Sequence, residues 1–364
     1  MRRLLLACTL LAALAIGSIL TLNRSAQAQS FDRRAMLEGL VTETILPLHE
    51  ALATEAATLE ATGAAFQADP NAETLAAFQE AWHSTSIAFE RLQVYRFQRV
   101  MPYMTQLDSS PPNIPFIEGY IDLETPGTIN AEFIEFLGSS SKGLPALEYF
   151  IFGDDVLASL TEVQNRRDYA AGLAADIRRV ADELVVEWTP QNSGYGDRFI
   201  NADGEANSVR SSVSMVTNEM IAELEDVARF WLGGPLGYRD GGEPQPDLVE
   251  APYSGTSTAK LIANLEGFQM ALNGTGEAPS MADYLDFLGA ELDGEPLSDV
   301  LNAQIDTTIA ALQAIESPLH IAVVEDTVTV EAAYDEAVTL LRLVKTDTAS
   351  QLGITVTFTD NDGD

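Results

Sequence analysis

The residues able to do chemistry are few, and their types restrict what that chemistry can be. The chain has three histidines, His49, His83 and His320, and one cysteine, Cys8. No H-E-x-x-H pair occurs, so the helix-borne zinc site of the common metalloproteases is absent. No G-x-S-x-G elbow, phosphate-binding glycine loop or dinucleotide fingerprint occurs either. Carboxylates remain. Glu148 stands alone inside the apolar stretch LPALEYFIF, three residues after Pro145. A buried carboxylate is costly unless it is paired, hydrogen-bonded or bound to a metal, so Glu148 is a candidate site residue. Glu219 and Glu223 lie four apart on one helical face, where they can share a cation or simply face water.

The bland reading stands beside each candidate. A lone Glu in such a segment is more often half exposed, or paired with an arginine of another helix, than functional. His83 flanks a stripe of Trp82 and Phe89 and reads first as a core-edge histidine. His49, between Leu48 and Glu50, reads as part of a solvated helix face, and His320 as part of a turn. The terminal DNDGD (360–364) looks like the start of a calcium loop, but the later ligands never arrive, so a frayed acidic tail is the better reading.

Composition narrows the function classes. Twenty Lys and Arg face 55 Asp and Glu, a net charge of −35. Nucleic acid is a poor partner for such a surface, and anionic membrane surfaces are disfavoured, because both need cations on the protein. Cations and cationic ligands are favoured, and so is solubility in salty water; adaptation to a saline habitat explains the charge ahead of any charge-specific function. At the N-terminus, Arg2-Arg3, an apolar run over 4–22 and Ala26-Gln27-Ala28 have the layout of a secretory signal peptide, with cleavage expected after Ala28. Cys8 would leave with it, so the mature chain has no disulfide and depends on packing.

The elements that must position these residues are helical throughout. Periodicity predicts helices over 31–66, about 71–97, from Lys142 onward, 157–188, 205–232, 257–272, 280–292, 297–315 and 328–345. Residues 101–130 hold five prolines and read as a long connection with at most short helices. Residues 189–204 form a polar loop, and 354–359 could be a short strand or an extended tail. About four long helices per half give an all-α fold of two packed four-helix bundles, over roughly 36–190 and 205–350, followed by an acidic tail over 351–364.

Five segments, in order, resemble the imelysin-like family. KGLPALEYFIFG resembles its signature helix, whose usual pattern is G-x-H-x-x-E, with Gly143 and Glu148 at the glycine and glutamate. EAWHSTSIAFERLQVYRFQ resembles its Trp-led second helix, and NEMIAELEDVARFWLGGPLG its mid-chain helix. YSGTSTAKLIANLEGFQMALNG resembles the helix containing Asn-Leu-Glu-Gly, and the C-terminal segment is similar as well. The resemblance covers the chain from about Met36 onward. It implies two helical bundles in an exported protein of the periplasm or cell envelope, linked to iron acquisition and to peptidase activity, with a site near the signature helix between the bundles.

Pro145 stands where the family's histidine would. A zinc peptidase needs about three protein ligands, so this departure counts against zinc proteolysis. The expectation is therefore a non-catalytic protein binding a small ligand or metal ion in the interbundle cleft. Iron or another divalent cation is the ligand expected, and envelope iron-uptake components are the partners. Glu148 would orient or ligate the ligand, beside Gly143, with Glu219, Glu266 and His83 as further candidates. The alternatives are an imelysin-type metallopeptidase and a structural or adaptor protein of the envelope.

Overall fold

Among the described residues, alanine- and leucine-rich stretches bounded by Asn, Ser and Gly fold into fifteen α-helices. The computed structural model describes residues 30–190, 194–202, 211–239 and 241–357. The expected signal peptide and residues 358–364 of the acidic tail lie outside these residues. The first helix, α1, starts at Arg33–Gly39, passes through a π-helical segment, Leu40–Ile45, and continues as Leu46–Ala68. Helix α2 (Ala72–Glu90) opens on a capping box, in which Asn71 accepts from the Glu73 and Thr74 amides.

The proline-rich connection then holds α3 (Met101–Leu107), α4 (Ile114–Leu123) and α5 (Ala131–Glu135). Prolines in the first turns of α3 and α4 cost nothing there, so the connection holds the short helices that its sequence allowed. The signature segment forms α6 (Gly143–Ile151). The single helix expected over 157–188 is broken at Val163 into α7 (Val156–Glu162) and α8 (Gln164–Trp188). Within the expected polar loop lies α9 (Tyr195–Asn201). It forms because Phe199 and Tyr195 have an aromatic wall to pack on, at Trp188.

Helix α10 runs Ser212–Glu225 and continues as a π-helical turn, Asp226–Leu232. Helices α11 (Ser257–Asn273), α12 (Met281–Leu288) and α13 (Leu297–Gln313) follow, with a two-residue hairpin, β1 (Glu291–Leu292) and β2 (Glu295–Pro296), between the last two. Helix α14 (Leu319–Glu325) replaces the turn expected around His320. Helix α15 runs Thr327–Arg342, then a π-helical segment Leu343–Thr348, then Ala349–Gln351. Residues 354–357 are extended and form no strand.

Helix α1 packs on both α2 and α8, and α6 packs on α8 and α2. In the second half, α11 packs on α13 and α13 on α15, which also meets α10. Helix α2 lies against α11, and the turn Gln93–Tyr95 meets α10. Contacts group everything from Arg33 onward into one unit. No helix among the described residues is long and apolar enough to cross a membrane.

His49 corrects the sequence reading. It is buried rather than solvated, bonds the Ile45 carbonyl at 2.8 Å and lies 5.7 Å from the Trp188 ring. Burial lowers its pKa to about 4, against the opposing Ile45 bond, so it is neutral and part of the core.

Candidate functional site

The contact of α2 with α11 starts from backbone fit. At the end of α11's Asn-Leu-Glu-Gly run, a Cβ on Gly267 would lie 2.3 Å from the Arg91 carbonyl. Glycine thus lets α11 close directly onto the end of α2. The same run then uses its side chains on that end: Asn264 donates to Glu90 Oε2 at 3.0 Å, and Glu266 takes Arg91 through Nε and Nη2 at 2.8 and 2.7 Å. One turn earlier, Lys260 Nζ sits 2.9 Å from Glu90 Oε1 and 2.8 Å from Glu250 Oε1, with Asp108 Oδ2 at 3.7 Å.

Glu90, Asp108 and Glu250 come from three different segments. Glu90 ends α2, Asp108 caps α3, and Glu250 follows the turn Pro246–Leu248. They nevertheless present carboxylate oxygens that all lie within 4.8 Å of one another. Glu90 and Glu250 are buried. Beside them is a chamber of about 210 Å³, also lined by Arg96, Ser110, Glu223, Trp231 and Asn264. Four buried polar atoms around it have no protein partner: Glu250 Oε2, Asn264 Oδ1, Ser110 Oγ and Arg96 Nε. Stranded polar atoms at this density call for water or a polar ligand.

The electrostatics agree. Four carboxylates here face two cations, Lys260 and Arg96. Burial, then the neighbouring Glu250, holds the Glu90 carboxyl well above its usual range, and burial raises Glu250 likewise. Burial also lifts Glu223 to about 8, although Arg96 opposes the shift. Burial alone would lower Lys260, but Glu250, Glu90 and Asp108 outweigh it and raise it. Arg96 is raised in the same way, with Glu223 and Asp226 overcoming burial. The group therefore lacks positive charge, which a cation would supply.

The signature helix α6 stands behind this arrangement and braces each part of it. Gly143 has φ +83°, and a Cβ there would lie 2.4 Å from the Leu107 carbonyl, so glycine lets α6 abut the end of α3 that carries Asp108. Trp82 Nε1 donates to the Leu144 carbonyl at 3.0 Å, tying α2 to α6. Glu148 is 2% exposed, and its Oε1 accepts from the Tyr253 and Ser254 amides at 3.2 and 2.7 Å. It thereby fixes the loop that carries Glu250. Burial raises its pKa, opposed by those amides and by Lys260. Buried Lys142 completes the frame, reaching Asp176 at 3.3 Å and Gln106 Oε1 at 3.0 Å.

Gly143→Ala should therefore be expensive. The new Cβ meets backbone, not a mobile side chain, in a conformation that L-residues avoid. A loss of about 2–4 kcal/mol is expected in urea unfolding. A loss below about 0.5 kcal/mol would remove the close approach from the account.

The other expected residues are spread out. His83 is half-buried against Trp82 and Phe152, at 5.4 and 5.0 Å, and lines an outer pocket rather than the acid chamber. Burial lowers its pKa, with Glu80 opposing. Glu266 sits at the surface with Arg91, where an ion pair contributes little. Glu219 faces a different cavity of about 820 Å³, with Tyr195, Arg198 and Phe199 on its walls. The sequence reading missed Glu90, Asp108, Glu250 and Lys260. The available signal was Lys260 and Asn264, four apart on an otherwise apolar helical stripe.

Burial lifts Glu219 to about 7 from 4.5, against the pull of Arg96. A carboxyl whose folded pKa is raised stabilises the fold below the unfolded value and loses that contribution as pH rises through the folded one. Stability should thus fall between about pH 4.5 and pH 7, by on the order of 2 kcal/mol from this group. Glu219→Gln, which mimics the protonated acid, should flatten that slope in urea titrations. An unchanged slope in the variant would contradict the assignment.

The donor set decides which metals fit. Three carboxylates, an amide oxygen and a hydroxyl are hard oxygen donors, suited to divalent cations of the calcium, manganese and ferrous type. No imidazole joins them, whereas catalytic zinc takes mainly nitrogen and sulfur ligands. Residues 45–345 match the family model for imelysin, peptidase family M75. A search of curated protein sequences returns no match. A crystal structure named as an iron-regulated protein A precursor from Parabacteroides distasonis superposes with a TM-score of 0.74 at 19% identity, covering 90% of this chain and 97% of that one. An imelysin-like protein from Psychrobacter arcticus 273-4 does so with 0.70 at 18%, covering 88% and 96%. At those identities the two structures speak for the fold alone, while the family match spans most of the sequence and both halves of the junction: the chain belongs to the imelysin family.

Proposed function

We propose that this chain is an exported cell-envelope binding protein, without peptidase activity, that holds a hard divalent cation at Glu90, Asp108 and Glu250. Iron is the cation favoured, since a structural neighbour is named as iron-regulated and the family resemblance implies iron acquisition. The observation that carries the reading is the convergence of three carboxylates within 4.8 Å, drawn from separate segments, beside the unpartnered Glu250 Oε2 and Asn264 Oδ1. Glu148 and Gly143 act by placement: one fixes the loop bearing Glu250, the other admits the helix bearing Asp108. The metal, when bound, would supply charge neutralisation to the buried acids and join the two halves. A peptidase would need an open metal position and a base beside it, and Pro145 leaves the signature helix without its imidazole.

The test is a melting series of the chain lacking residues 1–28 with Mn²⁺, Fe²⁺ under anaerobic conditions, Ca²⁺ and Zn²⁺, alongside cleavage assays on an unfolded protein substrate. Stabilisation by the hard cations, about 2–4 °C for each kcal/mol of linkage, with no cleavage, is expected. Chelator-sensitive cleavage, or stabilisation by Zn²⁺ alone, would overturn the proposal.

A further inference from the structure

Lys260 holds an unusual position between two spaces. Its ammonium touches Glu90 and Glu250 at the edge of the acid chamber, and the residue also lines a separate outer pocket of about 330 Å³. That pocket is formed with His83, Ser86, Ile87, Thr256 and Ala259. Ser86 is 1% exposed, and its Oγ has no hydrogen-bond partner. An unpaired acceptor therefore stands in the wall of the pocket that Lys260 also lines.

Ammonium and metal cannot share these oxygens. Lys260 Nζ lies 2.8–2.9 Å from Glu250 Oε1 and Glu90 Oε1. A divalent ion on the same atoms would sit about 2.0–2.6 Å from them, inside the ammonium's own contact distance. Two positive centres at that separation repel strongly in a buried site. The lysine stem has four rotatable carbons, so its charged end can pivot while the helix stays in place.

Resting on the cation reading above, we infer that Lys260 is a built-in competitor for the metal, filling the carboxylate site when it is empty and swinging into the Ser86 pocket when a divalent cation arrives. The lysine keeps the two halves joined by an internal cation between binding events. It also sets the affinity lower than three carboxylates alone would give, which suits a protein that must release its ion.

The experiment is Mn²⁺ titration calorimetry on the chain lacking residues 1–28, with Lys260→Met, Ala259→Phe and the double variant. Ala259 is exposed at the rim, so Phe there fills the outer pocket without entering the core. Lys260→Met should tighten Mn²⁺ binding at least about tenfold, by removing the competing charge. Ala259→Phe should weaken binding about fivefold in the native background and leave it unchanged beside Lys260→Met, because only a displaced lysine needs the space. Equal or weaker binding by Lys260→Met, or the same Ala259→Phe effect in both backgrounds, would overturn the inference while leaving the cation site standing. Loss of binding in the native chain and in Lys260→Met alike would instead overturn the site itself. Should Lys260→Met fail to fold without Mn²⁺, Ala259→Phe alone decides: weaker binding supports the displacement and unchanged binding refutes it.

Discussion

Glu250→Gln is expected to weaken divalent cation binding by at least about a hundredfold, since even contacts that merely support a metal ligand are worth ~10–100-fold. Glu250 is the clearest donor of the three. Its Oε1 is held by Lys260 at 2.8 Å, and its Oε2 has no partner. The fold should survive the change, because Lys260 keeps Glu90 at 2.9 Å and one of several crowded carboxylates has been neutralised. Isothermal titration with Mn²⁺ and a melting curve without metal separate the two effects. Undiminished affinity in Glu250→Gln would remove it from the ligand set.

Glu148 gives the second large effect, and its two substitutions should part company. Glu148→Ala strands the Tyr253 and Ser254 amides in a buried place, at an expected cost of about 2–4 kcal/mol. Cation affinity should fall by roughly tenfold with it, because the loop carrying Glu250 is no longer fixed. Glu148→Gln retains a carbonyl oxygen that can accept both bonds. It should cost about 1 kcal/mol and leave affinity within a few-fold of the native value. Urea unfolding and calorimetry read these directly. If Glu148→Gln abolished binding while stability held, Glu148 would itself be the ligand and the buttress account would be wrong.

The long helices were legible in the sequence because their apolar periodicity needs nothing outside the segment. Helix α2, with Asn71 as cap and the stripe of Phe78, Trp82 and Phe89, is such a case. The short helices α3, α4 and α9 were not, since each depends on a distant wall for its apolar side chains. Phe199 on α9 packs on Phe97 and Trp188, which local patterning cannot foresee. His49 failed for the same reason, its ring being enclosed by Trp188 from a helix more than a hundred residues away.

The candidate site divides along the same line. Glu148 and Gly143 stood out because a lone carboxylate and a glycine mark a helix that is otherwise apolar. Their place on an apolar helix was readable, but their burial and partners were not: a clasp onto backbone amides at 253–254 and a close approach to Leu107 leave no trace in spacing. Glu90, Asp108 and Glu250 look like three of 55 acidic residues until folding brings them together. In so acidic a chain, the sparse cations are the better guide. Lys260, Lys142 and Arg96 are each drawn in among carboxylates.

The central claim places a divalent cation among Glu90, Asp108 and Glu250, braced by the signature helix rather than bound by it. Anomalous diffraction from crystals grown with Mn²⁺ tests this most directly. The account predicts a peak within metal-ligand distance of these three carboxylates, about 2.0–2.6 Å, with Lys260 turned away. A peak at Glu148 or His83, or none at the three carboxylates in crystals of a protein that binds Mn²⁺ in solution, would contradict it.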